Sequence, residues 1–77
     1  MDGDIRKKID LHGVACPMNF VKTKVALASL EAGDLLEVIL DEGEAMLNVP
    51  RSVKEEGHQV VKVESLGEMF RVVIRKG

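Results

Sequence analysis

The chain has 77 residues, of which 45% are hydrophobic and 31% charged, and this balance is typical of a globular protein rather than a disordered or membrane one. Its length leaves no room for a separate cofactor-binding fold, so we expect one domain over residues 5–77 after a flexible N-terminal tail, residues 1–4. A net charge of −2 and the lack of Trp and Tyr argue against the basic, aromatic surfaces that bind nucleic acid.

The location of the protein is predicted from two further features of the sequence. No apolar run approaches the roughly 20 residues that span a bilayer, and the segment after Met1 lacks the apolar core of a signal peptide. Cys16 is the single cysteine, whereas exported domains of this size commonly depend on several disulfides. We therefore expect a cytoplasmic protein without a membrane contact.

The first half of the chain predicts a strand, a helix and a second strand. Ile5–Leu11 has Ile9 and Leu11 at alternate positions and ends at His12-Gly13, which predicts a strand with one buried face. Pro17–Leu30 predicts a helix that stops at Ala32-Gly33. Its apolar residues at helical spacing are Met18, Phe20, Val21, Val25, Leu27, Ala28 and Leu30. The dense apolar run Leu35–Leu40 predicts a central strand, closed by Asp41-Glu42-Gly43.

The second half predicts a helix and a hairpin. Glu44–Glu56 contains Pro50, so we expect the regular helix to begin near Asn48 or Val49, with Asn48 as its cap, and to end at Gly57. Gln59–Glu64 and Glu68–Arg75 alternate around Ser65-Leu66-Gly67 and predict two strands joined by a tight turn.

The predicted order is therefore βαβαββ. Right-handed crossovers place both helices on one face of a four-stranded mixed sheet, which gives an α/β fold of the two-layer (α+β) sandwich type. The other face of the sheet lacks helices. We expect Ile39, Val60 and Val73 to emerge there, as scattered exposed apolar residues.

Cys16 is the candidate reactive residue. It directly precedes Pro17, and a proline in the first helical turn makes the preceding residue a natural N-cap. Unpaired backbone N–H groups and the helix dipole there favour the thiolate, which is the form that attacks or carries sulfur. An ordinary buried cysteine fits the local sequence equally well.

The residues around Cys16 resemble a known family. Ile9-Asp10-Leu11-His12-Gly13-Val14-Ala15-Cys16-Pro17, followed by Val21-Lys22-Thr23-Lys24-Val25-Ala26-Leu27, is similar to the TusA (SirA-like) sulfurtransferase family. Gly33, Asp41, Asn48-Val49-Pro50 and Gly57-His58 extend the similarity towards the C-terminus. One departure is that Asn19 replaces the second proline of the usual Cys-Pro-x-Pro motif, so the chain reads Cys-Pro-Met-Asn.

The resemblance implies a two-layer βαβαββ domain and a function. Its cysteine, here Cys16, would accept sulfane sulfur as a persulfide and pass it to an acceptor protein, without a metal or organic cofactor. The implied donor is a cysteine desulfurase or a rhodanese. The implied acceptors serve tRNA thiolation, cofactor biosynthesis or sulfur metabolism.

Other residues have candidate supporting roles. Gly13 permits a tight turn and Asp10 is expected to accept N–H bonds in the Cys16 loop. Pro17 and Asn19 form the start of the helix. Lys22, Lys24 and Arg51 are candidate contacts for an anionic donor or a partner protein, although basic side chains over a core edge explain them as well.

No metal site is expected. His12 and Cys16 are two candidate ligands, which do not make a site, and the sequence does not place His58 beside them. Asp41, Glu42 and Glu44 are interpreted as a solvated acidic turn. Two other functions stay open: a non-catalytic binding or regulatory module in which Cys16 caps the helix, and a thiol redox sensor. We expect a monomer or a weak oligomer.

Overall fold

The computed structural model describes residues 5–15 and 17–77, and its elements follow the order βαβαββ. Residues 1–4 and Cys16 lie outside the described residues. The elements are β1 (Ile5–Asp10), α1 (Met18–Ala28), β2 (Leu35–Asp41), α2 (Glu44–Glu55), β3 (Gln59–Ser65) and β4 (Met69–Arg75). The predicted element order is confirmed.

The four strands form one mixed sheet in the order β1-β2-β4-β3. β1 and β2 are parallel, and β4 is antiparallel to both β2 and β3. The predicted hairpin joins β3 to β4, and its turn is closed by the Leu66 N–H, which donates to the Met69 carbonyl at 2.7 Å. The parallel pair matters for the site, because the carboxyl ends of β1 and β2 lie at the same edge of the sheet.

Both helices pack on one face of the sheet, as predicted. On β2 the alternate residues Leu36, Val38 and Leu40 are fully buried. The same core cluster contains residues of α1, α2 and β4, namely Ala26, Leu27, Ala45, Val49, Val53, Val72 and Ile74. Removing this apolar surface from water is the main driving force of the fold.

The opposite face of the sheet contains the other alternate residues of β2 and β4. Ile39 lies opposite Arg71 in the register, and Val73 lies opposite Glu37, so the predicted face of these two residues is correct. The predicted exposure is wrong for Val73, which is buried with 5% of its surface exposed, and Ile39 is only partly exposed. Val60 was placed on this face wrongly, because it pairs with Ile74 and packs against the helix-side core. A register shift between Val60 and Lys62 breaks the simple alternation of β3.

α1 presents a different face to the sheet from the one that its apolar residues predict. Its buried residues are Asn19, Thr23, Ala26 and Leu27, whereas Met18, Val21 and Val25 are exposed. Ala26 and Leu27 fix the C-terminal half of the helix in the core. At 3.6 residues per turn, that orientation places Thr23 and Asn19, one and two turns earlier, on the inner side.

α2 begins earlier than predicted, at Glu44, with Gly43 rather than Asn48 at its N-cap. Pro50 therefore lies inside the helix. Ala45, Val49 and Val53 recur every four residues and are all buried, so packing along the whole helix compensates for the backbone hydrogen bond that Pro50 cannot make. The predicted stop is confirmed, since the helix ends at Glu55 just before Gly57, which has φ +94°.

Candidate functional site

The loop that contains Cys16 leaves the sheet at the carboxyl end of β1. The Leu11 N–H donates to the Ile39 carbonyl at 2.9 Å, which extends the pairing of β1 with β2 by one residue. The chain then turns, and the Val14 N–H donates to the Leu11 carbonyl at 3.0 Å. Gly13 is the third residue of this turn and has φ +78°, a conformation that glycine adopts without strain.

Two carboxylates hold the turn. Asp10 Oδ1 accepts the His12 N–H at 2.9 Å, within the loop itself. Asp41, from the end of β2, accepts the Gly13 N–H on Oδ2 at 2.7 Å. Its other oxygen, Oδ1, lies 3.8 Å from His12 Nε2. The interpretation of Asp41 as part of a solvated acidic turn is therefore wrong, because both of its oxygens contact the loop.

The helix after Cys16 begins one residue later than predicted. Pro17 is the N-cap of α1, with φ −93° and ψ 7°, and it accepts the Val21 N–H at 3.0 Å. The prediction of Cys16 as N-cap is therefore wrong: the ψ of Pro17 departs from the helical value, so the regular helix begins at Met18. Cys16 itself lies outside the described residues.

Asn19 contributes to the first turn of α1 with both its backbone and its side chain. Its N–H donates to the Ala15 carbonyl at 3.2 Å, a bond that a proline at this position would not make. Its side-chain Oδ1 accepts the Phe20 N–H at 2.7 Å. Its carbonyl accepts the Thr23 hydroxyl at 2.8 Å in the buried side of the helix. The chain is thus hydrogen-bonded directly before and shortly after Cys16.

The three basic candidate residues are all exposed. Lys24 Nζ lies 3.5 Å from a carboxylate oxygen of Glu56, so it bridges α1 to the end of α2. Arg51 lies 3.8 Å from Glu55 along its own helix. Lys22 is on the outer side of α1. Lys24 also belongs to the exposed side of α1.

A group of apolar side chains on α1 lies in solvent instead of the core. Met18, Val21 and Val25 recur at spacings of three and four residues, and we call them the α1 stripe. Val25 is 66% exposed. The stripe begins two residues after Cys16. The sequence contained the signal for it, since eight apolar residues over Pro17–Leu30 are too many for one buried face of a short helix.

The histidines have separate roles within the described residues. His12 belongs to the turn before Cys16, whereas His58 Nδ1 accepts the Gly77 N–H at 3.1 Å near the start of β3. In residues 5–15 and 17–77 no three His, Cys, Asp or Glu side chains form a group able to hold a metal ion. Over the same residues, no helix is long and apolar enough to cross a membrane.

Comparison with known proteins identifies close similarities in sequence. The family model described as "Sulfurtransferase TusA" matches residues 7–76. A protein of Archaeoglobus fulgidus named "Putative sulfur carrier protein" is 42% identical over 69 residues, which cover 88% of this chain and 78% of the relative. YedF of Escherichia coli K12, which has the same descriptive name, is 30% identical over 69 residues that cover 90% of each protein.

The fold is similar to a solved structure as well. The crystal structure of a SirA-like protein from Desulfitobacterium hafniense matches with a TM-score of 0.79 and 30% sequence identity. The match covers 92% of this chain and 97% of that protein. The two-layer fold predicted from the sequence is thereby confirmed.

Proposed function

The chain belongs to the TusA family, and on this premise we propose that it is a sulfur carrier that holds sulfane sulfur on Cys16 as a persulfide and passes it to an acceptor protein. The observation that carries the proposal is the position of Cys16, which is the single cysteine of the chain and lies within the matched residues 7–76. The names of the relatives as sulfur carriers support it.

The proposed chemistry consists of two exchange steps. In the first, the Cys16 thiolate attacks the outer sulfur of a donor persulfide; the donor S–S bond breaks and the donor thiolate leaves with the electron pair. In the second, a nucleophile of the acceptor attacks the outer sulfur of the Cys16 persulfide, and the Cys16 thiolate leaves. The donor persulfide supplies the oxidised sulfur, so no further oxidant or reductant is needed.

The loop residues are proposed to support these steps by limiting the movement of the chain around Cys16. Asp10 and Gly13 shape the turn before it through the His12 N–H bond and the positive φ. Pro17 fixes the entry to α1, and Asn19 satisfies a backbone donor in the first turn. Limited movement favours the reaction, because the thiolate must approach the outer sulfur of the donor in line with the S–S bond.

The donor and acceptor are proposed to dock on the α1 stripe. An exposed row of apolar side chains beside a reactive residue is typical of a protein contact surface. The charges of α1 itself are two lysines, Lys22 and Lys24, so the stripe favours a partner whose apolar patch has an acidic rim. Arg51 of α2 is proposed as a third basic contact for this acidic rim. A cysteine desulfurase or a rhodanese is the proposed donor, and the cytoplasm the proposed location.

The decisive experiment loads the protein with sulfur. The chain and its Cys16→Ser variant are incubated with a cysteine desulfurase and cysteine, and separately with a rhodanese and thiosulfate, and the intact masses are measured. We expect the wild type to gain the mass of one sulfur atom, to lose it on treatment with dithiothreitol, and the variant to gain none.

Two results would contradict the proposal. If the wild type gains no sulfur from either donor, Cys16 is not a sulfur carrier for these enzymes and the binding-module interpretation is favoured. If Cys16→Ser gains as much sulfur as the wild type, the sulfur is held elsewhere. Ready oxidation of Cys16 by peroxide in a protein that takes no sulfur would favour the redox sensor.

A further inference from the structure

Asp41 joins the end of β2 to the loop that contains Cys16. It is 28 residues from Gly13 in the chain, yet its Oδ2 accepts the Gly13 N–H at 2.7 Å. Hydrogen bonds from a backbone N–H to a carboxylate are shorter and stronger than those between neutral groups. The second oxygen lies 3.8 Å from His12 Nε2, so one side chain contacts both central residues of the turn.

The loop has few other anchors. Leu11 is buried and Val14 is partly buried, but His12, Gly13 and Ala15 are exposed. Apolar packing therefore holds the two ends of the turn, since Leu11 belongs to the core and Val14 packs against it, whereas the two central residues, His12 and Gly13, depend on polar contacts. Gly13 precedes Cys16 by three residues in the sequence, so the polar contacts of Gly13 are the ones that bear on the approach to the cysteine.

Asp41 is the side chain that ties the centre of this turn to β2, whereas the Leu11 N–H bond to the Ile39 carbonyl ties only its first residue. The bond from the His12 N–H to Asp10 is local, since the two residues are two positions apart. Asp41 instead belongs to β2, which pairs with strands on both sides. A local bond shapes a turn, whereas a bond to the central strand also fixes where that turn lies relative to α1.

We propose that Asp41 is a positioning residue for Cys16, which acts by holding the Gly13 N–H and so fixing the turn that leads into the cysteine. This role rests on the proposed sulfur-carrier function. Asp41 neither attacks nor receives sulfur; it keeps the loop in the arrangement in which Cys16 reacts. The hydrogen bond to Gly13 is the main contact by which Asp41 fixes the turn, and the contact with His12 is the smaller one.

The test compares three variants by the rate at which iodoacetamide alkylates Cys16 between pH 5 and pH 10. Asp41→Ala removes the acceptor, and Asp41→Asn keeps an oxygen that accepts the Gly13 N–H. Asp34→Ala is the matched control, because Asp34 Oδ2 also accepts a backbone N–H, that of Glu31, at 2.9 Å, and Oδ1 lies 3.7 Å from Arg6.

The expected change in the alkylation rate is opposite to the change that loss of the Asp41 charge alone would cause. Loss of the Asp41 carboxylate removes a negative charge from the protein, and this charge effect by itself favours the thiolate and speeds alkylation. Loss of position acts in the opposite direction, and we expect Asp41→Ala to slow alkylation at pH 7 about threefold or more, with the midpoint of its pH profile moved upward. Asp41→Asn is expected to react at least as fast as the wild type, and Asp34→Ala at the wild-type rate.

Three outcomes would overturn the assignment. Alkylation of Asp41→Ala at or above the wild-type rate shows that the contact does not position Cys16. An equal slowing in Asp41→Asn removes the role of the Gly13 bond, and an equal slowing in Asp34→Ala identifies a general loss of stability. Because alkylation needs no sulfur donor, this result is independent of whether the protein can be loaded with persulfide.

Discussion

Asn19 is a polar side chain inside the helix layer, with 2% of its surface exposed. Burial of an amide is costly unless its groups are hydrogen-bonded, and the side-chain oxygen here accepts the Phe20 N–H. That N–H belongs to the first turn of α1, where backbone donors lack partners within the helix. Pro17, the N-cap residue, makes no side-chain cap bond. Asn19 provides part of this capping instead.

Replacing Asn19 by Ala should lower the free energy of unfolding by about 1–2 kcal/mol, because it leaves a partly buried N–H without its acceptor and opens a small cavity. Urea denaturation followed by circular dichroism measures this change. Ser29→Ala is the control, since Ser29 Oγ donates to the Ala26 carbonyl in a more accessible place, and it should cost less than about 0.5 kcal/mol. Equal costs for the two variants would show that burial of Asn19 adds nothing.

The residues of the site differ in how well the sequence predicts them. Gly13 and Asp10 act within a few positions of each other, so turn chemistry predicts their local contacts with the loop. Asp41 was missed, because its partner is 28 residues away and only the parallel pairing of β1 and β2 brings them together. The N-cap was predicted one residue early, since the preference of proline for the first helical position is statistical.

At the scale of elements, the two helices show what the hydrophobic pattern does not predict: the buried face of α1 and the first residue of α2. In α1 the apolar residues surround the helix, and the pattern alone does not say which of them are buried. In α2 the proline suggested a late start, yet the burial of Ala45, Val49 and Val53 dominates over the local penalty. Strands and hairpin were predicted more closely, because alternation and turn residues are local signals, and the fold class followed from their order.

The outward α1 stripe leads to a prediction about docking. Val21→Glu places a charge on the stripe, and we expect it to slow sulfur transfer from the donor enzyme about tenfold, since about 1.4 kcal/mol of lost contact energy suffices. Leu66→Glu is the matched control: Leu66 has a similar exposed fraction, 45% against 42%, and lies in the β3–β4 turn. Its transfer rate should equal that of the wild type.

The measurement is the initial rate of persulfide formation on the chain with the donor at a concentration below saturation. Circular dichroism of both variants confirms that each is folded. If Val21→Glu and Leu66→Glu accept sulfur equally fast, the donor does not use the α1 stripe. A slower rate in both variants would attribute the effect to added negative charge rather than to a docking surface.

At the scale of the whole molecule, the two faces of the sheet are stabilised by different means. The helix side is a continuous apolar core. On the open side, Arg71 donates to a carboxylate oxygen of Glu37 at 3.4 Å and to one of Glu64, and so links β2, β4 and β3. Glu37 is buried although no helix covers this face, and the Arg71 Nε is buried without a hydrogen-bond partner among the described residues.

The Arg71 cluster joins three strands across the open face, but burial of its charged groups carries a desolvation penalty. Removing one partner of a buried ion pair leaves a charge that is neither solvated nor neutralised, whereas replacing both by apolar residues removes the desolvation penalty as well. The Arg71 side chain keeps about a third of its surface in solvent. This exposure reduces both the desolvation penalty of the pair and the cost of removing one partner. The cluster is therefore expected to behave as an intermediate between a buried pair and a surface pair.

The last prediction follows from that behaviour. Arg71→Leu should lower the free energy of unfolding by about 1–3 kcal/mol, since Glu37 loses its cation, and the double variant Arg71→Leu/Glu37→Leu should lose less than the single one. Arg51→Leu is the control, because its pair with Glu55 is exposed on both sides and should contribute under about 0.5 kcal/mol. Urea unfolding of five proteins gives the values: the wild type, Arg71→Leu, Glu37→Leu, the double variant and Arg51→Leu. A double variant that loses the sum of the Arg71→Leu and Glu37→Leu costs would show that the two side chains act independently, and the open face would then owe its stability to the backbone pairing of the strands alone.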